Sequence, residues 1–179
     1  MKKILLIAAL ACIVASGLFA EGRPSGQWGV GFVASLSSNW NTLDSGYWDV
    51  GLSLKAPQSP VFWGINLDLR DNVFGLGLTG DRYIIERVLI KEVNFGWFLG
   101  VGGYGNFWSS GSGDFSATYL GLGGRLPVGV YIMPVDFFEG FVNIAPSIGL
   151  ELGFGKHVDD KFKFPAGRFG VEVGARFWL

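Results

Sequence analysis

The closing stretch of this 179-residue chain, Arg168-Phe169-Gly170-Val171-Glu172-Val173-Gly174-Ala175-Arg176-Phe177-Trp178-Leu179, decides the fold. Side chains along a strand point alternately to its two faces. Phe169, Val171, Val173, Ala175, Phe177 and Leu179 therefore share one face, and Arg168, Gly170, Glu172, Gly174, Arg176 and Trp178 the other. One face is continuously apolar while the other mixes charge with glycine. That is the pattern of a strand with hydrocarbon on one side and a polar interior on the other.

The opposite end agrees. Lys2 and Lys3 precede an apolar or small run from Ile4 to Ala20, and polar sequence begins at Glu21. A basic start, a short apolar centre and a small residue at its end predict a secretory signal peptide over residues 1–20, cleaved after Ala20. An uncleaved anchor and lipid attachment at Cys12 are the alternatives. The expected mature chain, residues 21–179, holds no cysteine, which excludes disulfides, thiol nucleophiles and thiolate metal sites. Loss of Lys2 and Lys3 takes the formal net charge from −1 to −3, which offers no footing for nucleic acid. No linker divides the remainder, so one domain is expected, and no second apolar run is long enough for a spanning helix.

The rest of the mature chain repeats the closing pattern. With the last stretch, eight alternating segments emerge, near the ~9–11 residues that a tilted strand needs to cross a bilayer. They are residues 27–36, 47–55, 61–70, 73–80, 95–104, 118–130, 141–152 and 168–179, with a tight turn at Asp71-Asn72. Residues 81–93 read less clearly, as extensions of the fourth and fifth strands or as a short amphipathic helix. The predicted fold is all-β: an eight-stranded antiparallel up-and-down transmembrane β-barrel after a cleaved signal peptide.

Placing both termini in the periplasm puts Trp28, Trp63, Trp97 and Phe177 at one interface and Trp48, Tyr119, Trp40 and Trp108 at the other or in its loops. Aromatic belts at both headgroup levels are expected of a membrane protein, since the rings are apolar and their N–H or O–H groups still reach water. The opposite face collects many of the 29 glycines, as a narrow, strongly curved barrel requires. Eight strands leave an interior only wide enough for side chains, which excludes a wide porin channel.

Asp49, Asp68, Arg125, Glu151, Glu172 and Arg176 all fall on the inward face. They predict a lumenal charge network, since an unpaired buried ion costs several kcal/mol. Sequence position suggests that Arg125 meets Glu151 and that Glu172 lies along the same strand face as Arg176. Such a network is either a static filling or a set of partners that exchange to gate a small ion path.

No catalytic constellation, cofactor site or metal site is predicted. His157, the single histidine, stands beside Asp159 and Asp160 in a loop, and a lipid-modifying hydrolase would need it aimed at a nucleophile. The run Gly100-Val101-Gly102-Gly103-Tyr104-Gly105 lacks the Lys-Ser/Thr and the helix of a phosphate loop. The outer loops, rich in Ser, Asn, Gly and Asp, are the remaining place for a host or matrix ligand. A soluble lipocalin-like barrel is the remaining class, with every apolar face turned inward around a ligand.

The segments Leu120-Gly121-Leu122-Gly123-Gly124-Arg125-Leu126-Pro127-Val128-Gly129 and Phe138-Glu139-Gly140-Phe141-Val142-Asn143-Ile144-Ala145-Pro146 resemble a family of small spirochaetal outer-membrane proteins. These are uncharacterised β-barrels with the architecture of the OmpA transmembrane domain. The resemblance covers most of the mature chain, with Asn143 where an acid is common and Leu179 in place of a terminal aromatic. It implies fold and cell outer membrane location, and brings no catalytic residues. The expected partners are outer-membrane lipid and, during biogenesis, the barrel-assembly machinery, with the protein a monomer. The expected role is structural or surface-interacting and adhesin-like; a narrow gated channel is the runner-up.

Overall fold

The computed structural model describes residues 22–39, 42–68, 73–111, 117–155, 158 and 161–179. The signal segment, Cys12, Trp40, the Asp71-Asn72 turn, His157, Asp159 and Asp160 lie outside the described residues. Nine strand segments form one antiparallel sheet: β1 (Gly29–Asn39), β2 (Thr42–Lys55), β3 (Val61–Asp68), β4 (Val73–Ile90), β5 (Phe95–Ser110), β6 (Ala117–Arg125), β7 (Val128–Val135), β8 (Phe138–Phe154) and β9 (Phe162–Trp178). Neighbours in sequence pair in turn, except that β6 and β7 both lie between β5 and β8, and β1 pairs with β9 from Gly29↔Trp178 to Asn39↔Arg168, which closes the ring. Closure leaves no exposed edge of unpaired N–H and C=O groups along that seam.

β6 and β7 are two halves of one stave. β5 pairs with both in a single register, Gly102↔Arg125 and Leu99↔Val128, and so does β8, Arg125↔Ser147 and Ile144↔Val128. The break at Leu126-Pro127 has a local cause. Gly100 donates its N–H to Pro127 O at 2.7 Å and Leu126 donates to Pro146 O at 3.0 Å. Neither proline has an N–H with which to return the bond. The ring therefore has eight staves.

The faces are opposite to those of a soluble core. Phe32 is 68 % exposed and Trp48 58 %, while Glu139 is fully buried and Arg176 is 3 % exposed. The soluble-barrel alternative, which puts apolar side chains inside, runs against this distribution. Trp28, Trp63, Trp97 and Phe177 sit on the outer face near the end that carries both the start of β1 and the chain terminus. Phe177 is joined there by Phe138, with ring centroids 5.3 Å apart. Trp48 lies on the outer face near the opposite end, where the hairpins β1–β2, β3–β4, β5–β6 and β8–β9 turn.

One open reading is decided and one expectation is corrected. Of the two readings of residues 81–93, strand extension holds and the helix does not: β4 continues to Ile90, and residues 91–94 turn into β5. Register shifts between Tyr83 and Ile85 and between Val88 and Ile90 break the alternation there, which hid the strand from a period-two reading. Tyr119 is not part of an outer belt. It shares the inward parity of Gly121, Gly123 and Arg125 and stacks on Trp108, centroids 5.4 Å apart, inside the mouth of the barrel.

Inside, glycine and aromatic residues interlock. Phe141 covers Gly174 so closely that a Cβ there would strike its ring; Tyr104 does the same over Gly123, and Pro127 and Tyr83 over Gly100. A ring this narrow accommodates large flat side chains only where the facing stave has none.

An arginine placed on the outer face halfway along a stave should be costly. Leu52→Arg, on the outer face of β2, is expected to lose about 2–4 kcal/mol of folding free energy in vesicles, the usual depth-dependent cost of Arg at the bilayer midplane. Ser53→Ala, one residue away and pointing inward, should lose less; urea titration of both checks the face assignment.

Candidate functional site in the barrel lumen

The inward residues gather into three levels of charge. The first lies at the end that holds the chain terminus. Glu139, the second residue of β8, points inward with Phe141 and Asn143 and is held from three directions. Arg176 Nη1 donates to its Oε1 at 2.9 Å, Arg23 Nε to the same oxygen at 2.8 Å, and Trp178 Nε1 to Oε2 at 3.1 Å. Arg176 also donates to Ser53 Oγ at 2.7 Å, and its guanidinium lies 4.1 Å from the Phe141 ring centroid. Arg23 reaches this level from the segment before β1 and pairs in addition with Glu86 at 2.9 Å.

The middle level is Arg125, which bridges Asp81 on β4 at 3.1 Å and Glu172 on β9 at 2.7 Å. Asn143 donates to the other Glu172 oxygen at 3.0 Å. The third level, toward the hairpin end, is Arg168, which pairs with Glu151 at 3.2 Å, donates to Tyr47 Oη at 3.2 Å and lies over the Trp108 ring at 4.6 Å. Asp49 accepts from Ser35 Oγ at 2.7 Å at this level, and Asp68 lines the same space.

The open space narrows through these levels. A cavity of about 330 Å³, bounded by Asp49, Asp68, Trp108, Tyr119, Glu151 and Arg168, occupies the hairpin end. Next to it, between Arg168 and Arg125, about 60 Å³ remains, and between Asp81 and Arg176 about 20 Å³, room for one water. Among the described residues, no three His, Cys, Asp or Glu side chains converge as metal ligands would.

The six charges expected on the inner face are all inside, but their pairing differs from the expectation. Arg125 does not meet Glu151; it takes Glu172 and Asp81, and Glu151 takes Arg168. Arg176 pairs not with Glu172, four residues away on the same stave, but with Glu139 across the ladder, at register partner position 176↔139. Strand tilt places cross-stave neighbours nearer than same-face residues on one stave, whose spacing is about 3.3 Å per residue. Sequence reasoning missed Arg23, Asp81, Glu86 and Glu139. Asp81 continues the inward parity of Gly77 and Thr79 beyond the expected strand end, and Glu139 precedes Phe141 by one inward step, so longer strands would have found both. Glu86 is turned inward by the bulge at Tyr83. Arg23 lies outside any strand and has no periodic signal.

No family model matches the chain, and no curated protein matches it in sequence. Solved structures that share its fold include the following two. The N-terminal β-barrel domain of Pseudomonas aeruginosa OprF superposes with a TM-score of 0.51 at 12 % identity, over 84 % of this chain and 97 % of that one. Neisserial surface protein A (NspA) gives 0.50 at 12 % identity, over 86 % and 97 %. The likeness is one of architecture: an antiparallel up-and-down ring of the OmpA-like kind.

Arg125→Met should cost about 3–5 kcal/mol, because it strands Asp81 and Glu172 as buried charges. Adding Asp81→Asn and Glu172→Gln removes the stranded charges, and the triple variant is expected to recover most of that loss. Urea unfolding of the three proteins in one detergent checks this order.

Proposed function

We propose that this chain is a side-chain-filled outer-membrane barrel, monomeric, that acts as a structural element and as a surface-interaction (adhesin-like) platform through its hairpin end. The observation that carries the reading is the combination of an apolar, aromatic-rimmed exterior with a lumen that contracts from about 330 to about 20 Å³ along its length. An exterior of exposed Trp, Phe, Leu and Val is stable only against lipid, and a lumen closed by paired charges is built to hold shape. The staves also outrun the membrane. β8 and β9 are each 17 residues, against ~9–11 for a crossing, so their hairpin projects well beyond it. Residues that project on paired strands are pre-ordered, which lowers the entropic cost of binding a surface ligand.

A narrow gated channel is the second reading. It requires Arg125 to leave Glu172 or Asp81, since that level separates the two smaller spaces.

The protein from fractionated cells should be recovered with outer membranes and should migrate differently on gels before and after boiling. In planar bilayers the folded form is expected to give no discrete conductance, and replacing the β8–β9 turn should abolish adhesion of expressing cells to a matrix-coated surface. Discrete conductance that changes in Glu172→Gln, with adhesion unaffected by the turn, would move the assignment to the channel.

A further inference from the structure

The segment before β1 enters the barrel only at one point. Trp28 exchanges backbone hydrogen bonds with Leu179 at 3.0 and 2.8 Å, fixing one end of a short strap. Ser25, Gly26 and Gln27 are exposed; Gly26 adopts φ +85° and has no atom within 4 Å of where its Cβ would lie, so the strap stands clear of the ring there. At the other end Gly22 O accepts from Asn94 Nδ2 at 2.5 Å, and the Arg23 side chain, 4 % exposed, dips into the lumen.

What receives Arg23 is a box for a cation. Tyr131, Phe98, Tyr83 and Phe62 present their rings with centroids 3.9, 4.8, 5.0 and 5.6 Å from its guanidinium carbon, within cation–π range. Glu139 and Glu86 accept from its nitrogens at 2.8 and 2.9 Å. Phe62, Phe98 and Tyr131 belong to the buried cluster with Tyr83 packed against it, and they come from β3, β5 and β7, so the walls are part of the barrel rather than of the strap. The charge count makes the cation obligatory. Glu139 keeps Arg176 whether or not Arg23 is present, but among the described residues Arg23 is the cation paired with Glu86. A carboxylate in an aromatic enclosure without a counter-ion is strongly disfavoured.

We infer that the terminal end of the lumen is a recognition site for guanidinium-type cations, now filled by the chain's own Arg23 as a tethered ligand. When the strap lifts, the same aromatic walls and carboxylates take a guanidinium presented from that side, either as a free ion or as the arginine of another polypeptide. The strap is a competitor: a tether this short holds Arg23 at an effective concentration on the order of millimolar, so a free ligand binds more weakly while it is in place. The inference does not depend on the role assigned to the hairpin end.

Methylguanidinium chloride is the probe, with sodium and tetramethylammonium chlorides at matched ionic strength as controls, on full chain purified in detergent. Arg23→Ala should show a saturable change in tryptophan emission, reporting Trp178 beside Glu139, with an apparent dissociation constant at least about tenfold below that of the unaltered protein. Glu86→Gln added to Arg23→Ala should abolish saturation. No saturable, guanidinium-selective response from folded Arg23→Ala would overturn the inference, as would a response that survives Glu86→Gln. If Arg23→Ala does not fold, a spin label on Ser25→Cys in a Cys12→Ser background decides instead. Methylguanidinium should then release the strap and raise label mobility saturably where the control salts do not, and an unchanged spectrum would overturn the site. Adding a peptide with an exposed arginine, against its lysine counterpart, then distinguishes the two sources of the cation.

Discussion

An eight-stave ring has an interior no wider than packed side chains, and most of the molecule answers to that width. Large inward groups require glycine opposite, which is why Phe141 rests on Gly174 and Tyr104 on Gly123. Charged inward groups have too little room for their own hydration, so most find a counter-ion on another stave, Arg176 and Arg168 on the adjacent β8 and Arg125 across the bore on β4 and β9. Glu139, Arg125 and Arg168 organise these neutralisations at three heights, drawing on β4, β6, β8 and β9 as well as the strap. The apolar residues displaced from the inside take the outside, and lipid becomes the solvent that the fold requires.

The same width explains how much could be read from sequence. Alternation over Arg168 to Leu179 identified the inner and outer faces because a strand between two different media keeps a period of two wherever no bulge interrupts it. The remaining staves were found for the same reason, and the inward charges with them. The pairing of those charges was not legible. It depends on register and tilt between staves, and a list of parities carries neither. Bulges hid the second half of β4, and with it Glu86, because one inserted residue reverses every later parity. Tyr119 was misplaced by giving residue type priority over parity: an aromatic near a strand end suggests a belt, yet its side chain points with Arg125. Arg23 lay beyond reach, since a strap that crosses no membrane has no reason to alternate.

The two segments that carried the family resemblance also have a structural meaning. Leu126-Pro127 and Ala145-Pro146 face each other across the sixth stave and its neighbour, and each proline replaces a ladder donor. The resemblance therefore rests partly on residues that shape the backbone rather than on residues that perform chemistry, which agrees with an architectural likeness to OprF and NspA at 12 % identity.

That pair of prolines has an elastic consequence. The carbonyls of Gly100 and Leu126 face positions where no N–H exists, so two rungs on either side of one stave are single. The missing rungs lie next to Arg125. The girdle thus has fewer rungs at the level where its bore is spanned by a guanidinium. A widening of the ring at this height would lengthen the Arg125 bridge to Asp81 and Glu172, so the guanidinium serves there as a tie across the bore.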